Sequence, residues 1–135
     1  MKKLVIHLDG ASRGNPGPAA IGIVINNEKG KVISEIKKYI GESTNNVAEY
    51  RALICALEET KKYNPTSAIF YLDSELLVNQ INGIYRTRDK DLIPLLQKVR
   101  KLSNKFPQIK FQYIPREKNK RADKLANLAI NLAVL

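Results

Sequence analysis

The sequence is poor in the residues on which many kinds of active site depend. Among 135 residues it has one cysteine, Cys55, and one histidine, His7. Cys55 cannot form an internal disulfide, and in a helix-like segment it is expected to be a buried, inert thiol. A Ser–His–Asp or Cys–His mechanism would need His7 itself, which lies in a strand-like run where a structural role is expected. A zinc site would lack ligands.

Long apolar segments are missing as well. No run approaches the ~20 residues that cross a bilayer, and Met1-Lys2-Lys3 leads into a short strand-like run with no signal-peptide pattern. The length fits one domain, residues 1–135, that buries a core without disulfides. We therefore expect a soluble, cytoplasmic, monomeric protein.

Acidic residues are in the minority, with 13 Asp and Glu against 23 Lys and Arg and a net charge of +10. The excess is local, because residues 86–124 hold thirteen basic and four acidic residues, while residues 1–85 hold ten and nine. This uneven distribution predicts a face that binds a polyanion such as nucleic acid; the alternative is a solvated, lysine-rich surface.

The apolar pattern predicts an α/β fold. Strands are predicted at residues 2–9, 20–26, 31–40, 68–72 and 108–114, and helices at 47–62, 74–82, 91–104 and 121–132, with a turn-rich loop at 10–18. The tight turn at residues 27–30 between adjacent strand-like runs favours antiparallel pairing, and the later alternation of strand and helix favours parallel pairing. We expect a mixed five-stranded sheet flanked by helices, with ligands at the carboxyl ends of its parallel strands.

Four acids, Asp9, Glu49, Asp73 and Asp123, each stand at the end of a predicted strand or in the first turn of a predicted helix. Each alone has a structural explanation. Asp9 can open a turn, and Glu49 has capping-box spacing from Asn46. Asp73 can cap the helix that it precedes. Asp123 can interact favourably with the dipole at the start of its helix or pair with neighbouring basic residues.

The set of four is more informative than its members. Mg²⁺ binds hard oxygen ligands and is commonly held by carboxylates together with substrate phosphate. Two such ions can drive the in-line displacement of a phosphodiester, and holding them takes three or four carboxylates. Acids delivered by two strand ends and two helix starts meet this requirement. The glycine-rich loop lacks the Gly-Lys-Ser/Thr ending of a nucleotide-binding P-loop.

The blocks around these acids resemble the type 1 ribonuclease H family. They are residues 9–17 (DGASRGNPG), 44–50 (TNNVAEY), 73–78 (DSELLV) and 119–123 (NKRAD), which occur in the family's order and span almost the whole chain. The resemblance implies an endonuclease that hydrolyses the RNA strand of RNA–DNA hybrids without base specificity. It implies Mg²⁺ or Mn²⁺ as cofactor, two ions with substrate bound, and 5′-phosphate and 3′-hydroxyl ends.

The resemblance also implies roles for residues. It assigns Asp9, Glu49, Asp73 and Asp123 to the metal, and it places Glu49 where the RNA 2′-hydroxyl is sensed. The positions that it assigns to the hybrid are Gly10, Ala11, Ser12, Arg13, Asn15, Thr44, Asn45, Asn46 and Glu75.

The chain departs from the family pattern in three places. Many members carry a histidine in the loop before the last aspartate, and residues 115–122 (PREKNKRA) have none. We expect Glu117 to serve there; the alternatives are Arg116 or a slower step. Arg116 is also a candidate substrate contact. The segment 83–91 is shorter than the basic insertion of many bacterial members. Glu75 stands where the family often has glutamine. Activity that extends to double-stranded RNA is a hypothesis drawn from the missing histidine and the altered loop.

Two other classes compete with this interpretation. One is a non-catalytic hybrid- or RNA-binding module that keeps the fold, and it is disfavoured because all four acids are present. The other comprises the integrases, transposases and junction resolvases of the same fold, which would need DNA-binding domains beyond 135 residues.

Overall fold

The computed structural model describes residues 2–135 and contains five strands and four α-helices. The strands are β1 (Lys3–Ser12), β2 (Gly17–Asn27), β3 (Val32–Ser43), β4 (Ser67–Leu72) and β5 (Gln108–Tyr113). The helices are α1 (Asn45–Lys61), α2 (Glu75–Ile81), α3 (Ile93–Ser103) and α4 (Lys120–Ala133), with a 3-10 turn at Arg116–Lys118 before α4. No helix within residues 2–135 combines the length and apolarity needed to span a membrane.

The strands form one mixed sheet in the order β3-β2-β1-β4-β5. β1 pairs with β2, and β2 with β3, in antiparallel fashion, whereas β4 lies parallel to both β1 and β5. The predicted fold class is therefore confirmed. Because β1 and β4 are parallel neighbours, their carboxyl ends meet at the same edge of the sheet.

The helices cover the two faces of the sheet unequally. One large apolar core joins β1, β2 and β4 to α1, α2 and α3, with Tyr50 and Phe70 as its largest fully buried side chains. The opposite face is covered by α4, which packs on β1, β2 and β3 around Ala20, Ala129 and Ile130. The outer face of β4 and β5 lies beside α4 rather than beneath it.

The loop predicted at residues 10–18 is wrong over most of its length. β1 continues through Ser12 and β2 begins at Gly17, because the antiparallel pairing persists as far as Ser12 opposite Ala19. Only residues 13–16 connect the two strands. Asp9 consequently lies three residues before the end of β1, inside the sheet, and not at the strand end.

The predicted start of the first helix is also wrong. α1 begins at Asn45, and its cap is Thr44, whose Oγ1 accepts the Val47 N–H at 3.3 Å. β3 runs as far as Ser43, so the hydroxyl that follows it directly is the one in position to cap. Glu49 therefore lies in the second turn of α1, and the capping box from Asn46 does not form.

Two glycines bring helix backbone into direct contact with the sheet. A Cβ atom at Gly10 would lie 2.3 Å from the carbonyl carbon and oxygen of Ala48, and one at Gly22 would lie 2.1 Å from the Ala122 carbonyl oxygen. Real Cβ contacts are never so short, so only glycine permits α1 and α4 to approach this closely. The next residues, Glu49 and Asp123, are acids of the predicted site.

We expect Gly22→Ala to lower the free energy of unfolding by roughly 2–3 kcal/mol, because α4 must move away from β2 to admit the methyl group. Urea unfolding measures the loss. Gly30→Ala is the control, since a Cβ there meets nothing within 4 Å and only its positive φ of 82° opposes alanine. Equal losses in the two variants would show that the close approach of α4 contributes nothing.

Candidate active site

The structure brings the four predicted acids together, with the other three close to Asp9. Asp9 is on β1, and Asp73 directly follows the parallel neighbour β4. Glu49 follows the helix backbone that rests on Gly10, and Asp123 follows the backbone that rests on Gly22, the β2 partner of Asp9. All three other acids are close enough to raise the pKa of Asp9.

Asp9 has a strongly raised pKa. Its side chain is only 8% exposed. Burial, then the charge of Asp73, a hydrogen bond with Asp123 and the charges of Asp123 and Glu49 raise its pKa from 3.8 to about 9. A carboxyl in such surroundings holds a proton at neutral pH unless a cation replaces it.

Glu49 is the second acid whose pKa is raised. Burial raises its pKa to about 7, and the Ser74 hydroxyl, the Asn45 amide and the charge of Arg116 oppose that rise. Asn45 Nδ2 donates to Glu49 Oε1 at 2.9 Å. The other oxygen, Oε2, is buried without a hydrogen-bond partner. A buried carboxylate oxygen without a donor is costly, and a cation or a substrate hydroxyl would satisfy it.

Asn119 connects Asp73, Asp123 and the residue before Asp9, and it was not predicted as a site residue. Its side chain is 1% exposed, and Nδ2 donates to the Leu8 carbonyl at 2.8 Å and to Asp73 Oδ2 at 3.0 Å. Its backbone carbonyl accepts the Asp123 N–H at 3.2 Å. The sequence signal was an Asn immediately before a helix, which is typical of a cap and does not predict contacts with residues more than 40 positions away.

Asp123 is supported from its own helix. Asn127 Nδ2 donates to Asp123 Oδ1 at 3.2 Å, one helical turn along α4, and Arg13 donates to Asn127 at 3.3 and 3.4 Å. Asp123 does not pair with Arg121, one of the neighbouring basic residues. Arg121 instead donates to Glu35 on β3 at 2.6 and 2.8 Å.

The donor set fits a divalent cation, although the side chains are not arranged around one. No group of three or more His, Cys, Asp or Glu side chains in residues 2–135 is placed to ligate a single metal ion. Leu8, Asp9, Gly10, Glu49, Leu72, Asp73 and Ser74 line a cavity of about 10 Å³. That volume is close to what one water molecule requires. A cation bound in this cavity would meet the unpartnered Glu49 oxygen and the buried carboxyl of Asp9, because both residues line it.

The residues that resemblance assigns to the hybrid surround this cluster. Gly10, Ala11 and Ser12 belong to β1, Thr44 caps α1, and Asn45 and Asn46 form its first turn, while Arg13, Asn15 and Glu75 are exposed. Asn15 Oδ1 accepts the Asn45 N–H at 3.2 Å, which ties the β1–β2 connection to the start of α1. Their contacts with substrate remain a prediction.

The 3-10 turn before α4 occupies the place of the missing histidine. Arg116 and Glu117 are both exposed on it. The Arg116 charge lowers the pKa of Glu49, which places its positive charge beside the acids. Glu117 is the residue that we expected to serve there, and it lies on the same turn.

The two scarce residues lie outside the cluster. His7 is half-buried on β1 and packs against Tyr71, with ring centroids 5.0 Å apart, and burial lowers its pKa. Cys55 is half-buried in α1 as a free thiol, and burial raises its pKa. The expected burial of Cys55 is therefore only partial, and its raised thiol pKa agrees with the expected inert role.

Comparison with known proteins points to one family. A family model described as reverse transcriptase-like matches residues 7–129. A ribonuclease H of Clostridium botulinum is 35% identical, with 97% of each chain covered. A bifunctional protein of Mycobacterium tuberculosis is 42% identical over 97% of this chain, which spans only 36% of that relative's length. The crystal structure of LC11-RNase H1 in complex with an RNA/DNA hybrid superposes with a TM-score of 0.93 at 44% identity, covering 98% of this chain and 99% of that one.

The raised pKa of Asp9 predicts a pH-dependent stability for the metal-free protein. The folded protein holds a proton that the unfolded chain releases, so stability is lost as pH rises from 3.8 to about 9. Asp9→Asn removes this loss. The difference in unfolding free energy between variant and wild type should therefore grow with pH, by at most about 1.4 kcal/mol per pH unit.

Urea unfolding with a chelator present, at several pH values across that range, measures the difference. Glu28→Gln is the control, because Glu28 is an exposed acid in the β2–β3 turn and its substitution should give a small, pH-independent change. A difference for Asp9→Asn that does not vary with pH would contradict the assigned environment of Asp9.

Proposed function

The chain belongs to the ribonuclease H family, and we propose that it is a metal-dependent endoribonuclease that hydrolyses the RNA strand of RNA–DNA hybrids. The observation that carries this proposal is that three carboxylates lie close to the buried Asp9 carboxyl, at the carboxyl ends of the parallel strands β1 and β4. The relative solved with an RNA/DNA hybrid supports the substrate class. The products would carry 5′-phosphate and 3′-hydroxyl ends, and the reaction would be independent of base sequence.

Asp9, Glu49, Asp73 and Asp123 would hold Mg²⁺ or Mn²⁺, with two ions present when substrate is bound. When bound, the ions supply activation of the attacking water and stabilisation of the leaving oxygen. The chain itself positions the acids: Gly10 and Gly22 set the approach of the helices that carry Glu49 and Asp123, and Asn119 holds Asp73 by a hydrogen bond.

Recognition of the hybrid would use groups that contact sugar and phosphate. Arg13, Asn15, Asn45 and Asn46 are exposed beside the cluster and carry amide or guanidinium donors. Such side chains bind the backbone without reading bases, which agrees with cleavage at any sequence. The unpartnered buried oxygen of Glu49 would accept a hydrogen bond from the RNA 2′-hydroxyl and so distinguish the RNA strand from the DNA strand.

We further propose that Arg116, in preference to Glu117, serves in place of the missing histidine. Its positive charge acts on Glu49 from the turn before α4. An arginine there would neutralise phosphate charge as the reaction proceeds, and it presents several donors to phosphate oxygens. A further acid at this place would instead add to the repulsion among the carboxylates.

Several finer properties stay part of the proposal. The chain would act as one domain and as a monomer in the cytoplasm, and its activity would extend to double-stranded RNA, whose A-like shape the hybrid shares. The chain spans about a third of the length of its mycobacterial relatives.

We expect Asp73→Asn to reduce cleavage of a labelled hybrid by roughly a hundredfold or more, because loss of a direct metal ligand costs at least as much as loss of its supporting hydrogen bonds. Product analysis after incubation with Mg²⁺, Mn²⁺ or a chelator measures this. Asp89→Asn is the control: it removes an exposed acid from the segment before α3 and should retain activity.

Wild type that binds the hybrid but cuts it with neither ion would favour the non-catalytic module. Full activity of Asp73→Asn would reject the assignment of the acids. Double-stranded RNA left intact beside a degraded hybrid would remove the broader activity alone.

Arg116→Ala should lower kcat by about tenfold or more with a smaller change in KM, since the charge is needed most as negative charge develops on the phosphate. Glu117→Ala, on the same exposed turn, is the matched control and should lower kcat by less than about twofold. Steady-state kinetics on a hybrid measure both. A greater loss in Glu117→Ala than in Arg116→Ala would restore Glu117 to the role.

A further inference from the structure

The outer face of β1, β4 and β5, which points away from α1 and α3, carries a regular set of nine side chains. The strand registers place them in three rows across the sheet: Lys3, Ser67 and Gln108; Val5, Ile69 and Lys110; His7, Tyr71 and Gln112. Each is exposed or half-buried. We call this set the outer sheet face.

The outer sheet face carries positive charge and no acid. Lys3 and Lys110 border a depression of about 240 Å³, and Lys118 lies beside His7 at a second depression of about 230 Å³. Neither depression has an Asp or Glu in its lining. The two ion pairs found in residues 2–135 involve other residues, so these three lysines are not neutralised by protein carboxylates.

The same face carries a pair of rings. His7 and Tyr71 are cross-strand partners with centroids 5.0 Å apart and planes tilted by 31°. Ile69, in the adjacent row, extends the apolar surface beside Tyr71. Rings flanked by lysines and side-chain amides on an open sheet are a combination on which unpaired bases stack while the backbone phosphates meet cations.

This surface is continuous with the acid cluster. Alternate residues of a strand point to the same face, so Asp9 follows His7, and Asp73 follows Tyr71, on the same side of the sheet. Residues two positions apart on a strand, such as His7 and Asp9, are about 6.6 Å apart along it, which is roughly the length of one nucleotide step. A strand leaving the acids along β1 and β4 would pass directly onto the rings.

We propose that the outer sheet face binds single-stranded nucleic acid that extends from a hybrid seated at the acid cluster. The proposal rests on the proposed function for the origin of that strand, and it adds a binding surface that the cleavage reaction does not require. A second copy of this chain is a poorer occupant, because it would bring the same lysines against one another.

Fluorescence anisotropy in the presence of a chelator, so that nothing is cleaved, tests the proposal. The probes are a blunt hybrid, the same hybrid with a single-stranded RNA or DNA extension at either end, and the free single strands. At least one extension should strengthen wild-type binding by about fivefold or more, which is the lower end of what one base–aromatic stack contributes.

Tyr71→Ala and Lys110→Glu should each bring the ratio of extended to blunt affinity close to one, and Tyr71→Phe should restore it, because phenylalanine keeps the ring. Lys110 is exposed on an edge strand, so its substitution tests the surface even if Tyr71→Ala folds poorly. Tyr39→Ala and Lys37→Glu are matched controls on β3, two strands from His7 and three from Tyr71, and should keep the wild-type ratio.

A wild-type ratio near one for every extension would overturn the proposal, as would an unchanged ratio in both Tyr71→Ala and Lys110→Glu. Binding of the free single strands distinguishes failure of this proposal from failure of the proposed function. If the blunt hybrid does not bind at all, loss of single-strand affinity in the two variants still supports the outer sheet face, and unchanged affinity rejects it.

Discussion

The whole site depends on the direct contact of two helices with the sheet, backbone against backbone. At Gly10 the start of α1 touches β1, and at Gly22 the start of α4 touches β2. Each contact is followed at once by an acid of the cluster, Glu49 or Asp123. Side-chain packing alone would leave these helices further from the sheet, and carboxyl groups on short side chains could not then reach Asp9.

This constraint has an electrostatic cost. Burial, the charge of Asp73 and the carboxyls that the two helices bring close raise the pKa of Asp9 to about 9, and an oxygen of Glu49 is left buried without a donor. The apolar core of β1, β2, β4 and the helices on them must offset that cost while no cation is present. Hydrogen bonds from Asn119, Asn45 and Asn127 orient the acids without neutralising them, since amides carry no charge.

The order of elements, the sheet type and the four acids follow from local sequence patterns. Alternating apolar residues identify strands, and an acid next to a strand end is visible without coordinates. The extension of β1 beyond Asp9 was missed because residues 10–17 are rich in glycine, while pairing with β2 decides the outcome. The cap at Thr44 was missed because Asn46 is an equally good capping residue and only the end of β3 distinguishes them.

Contacts between distant residues were beyond prediction from local pattern. Nothing near Asn119 indicates that its amide reaches Leu8 and Asp73, and nothing near Arg13 indicates Asn127. The outer sheet face likewise depends on strand order, because Lys3, Ile69 and Tyr71 become neighbours only when β1 and β4 pair. Local sequence patterns identify the four acids that the structure brings together but few of the residues that support them.

The contact of Asn119 with Leu8 joins parts of the chain 111 residues apart. During synthesis β1, α1 and β4 emerge first, so Asp9, Glu49 and Asp73 are present while α4 is still unmade. Until that last helix packs on Gly22, Asp73 lacks its Asn119 hydrogen bond and Asp123 is absent. A nascent chain therefore carries an incomplete acid cluster until α4 has been made and has packed on the sheet.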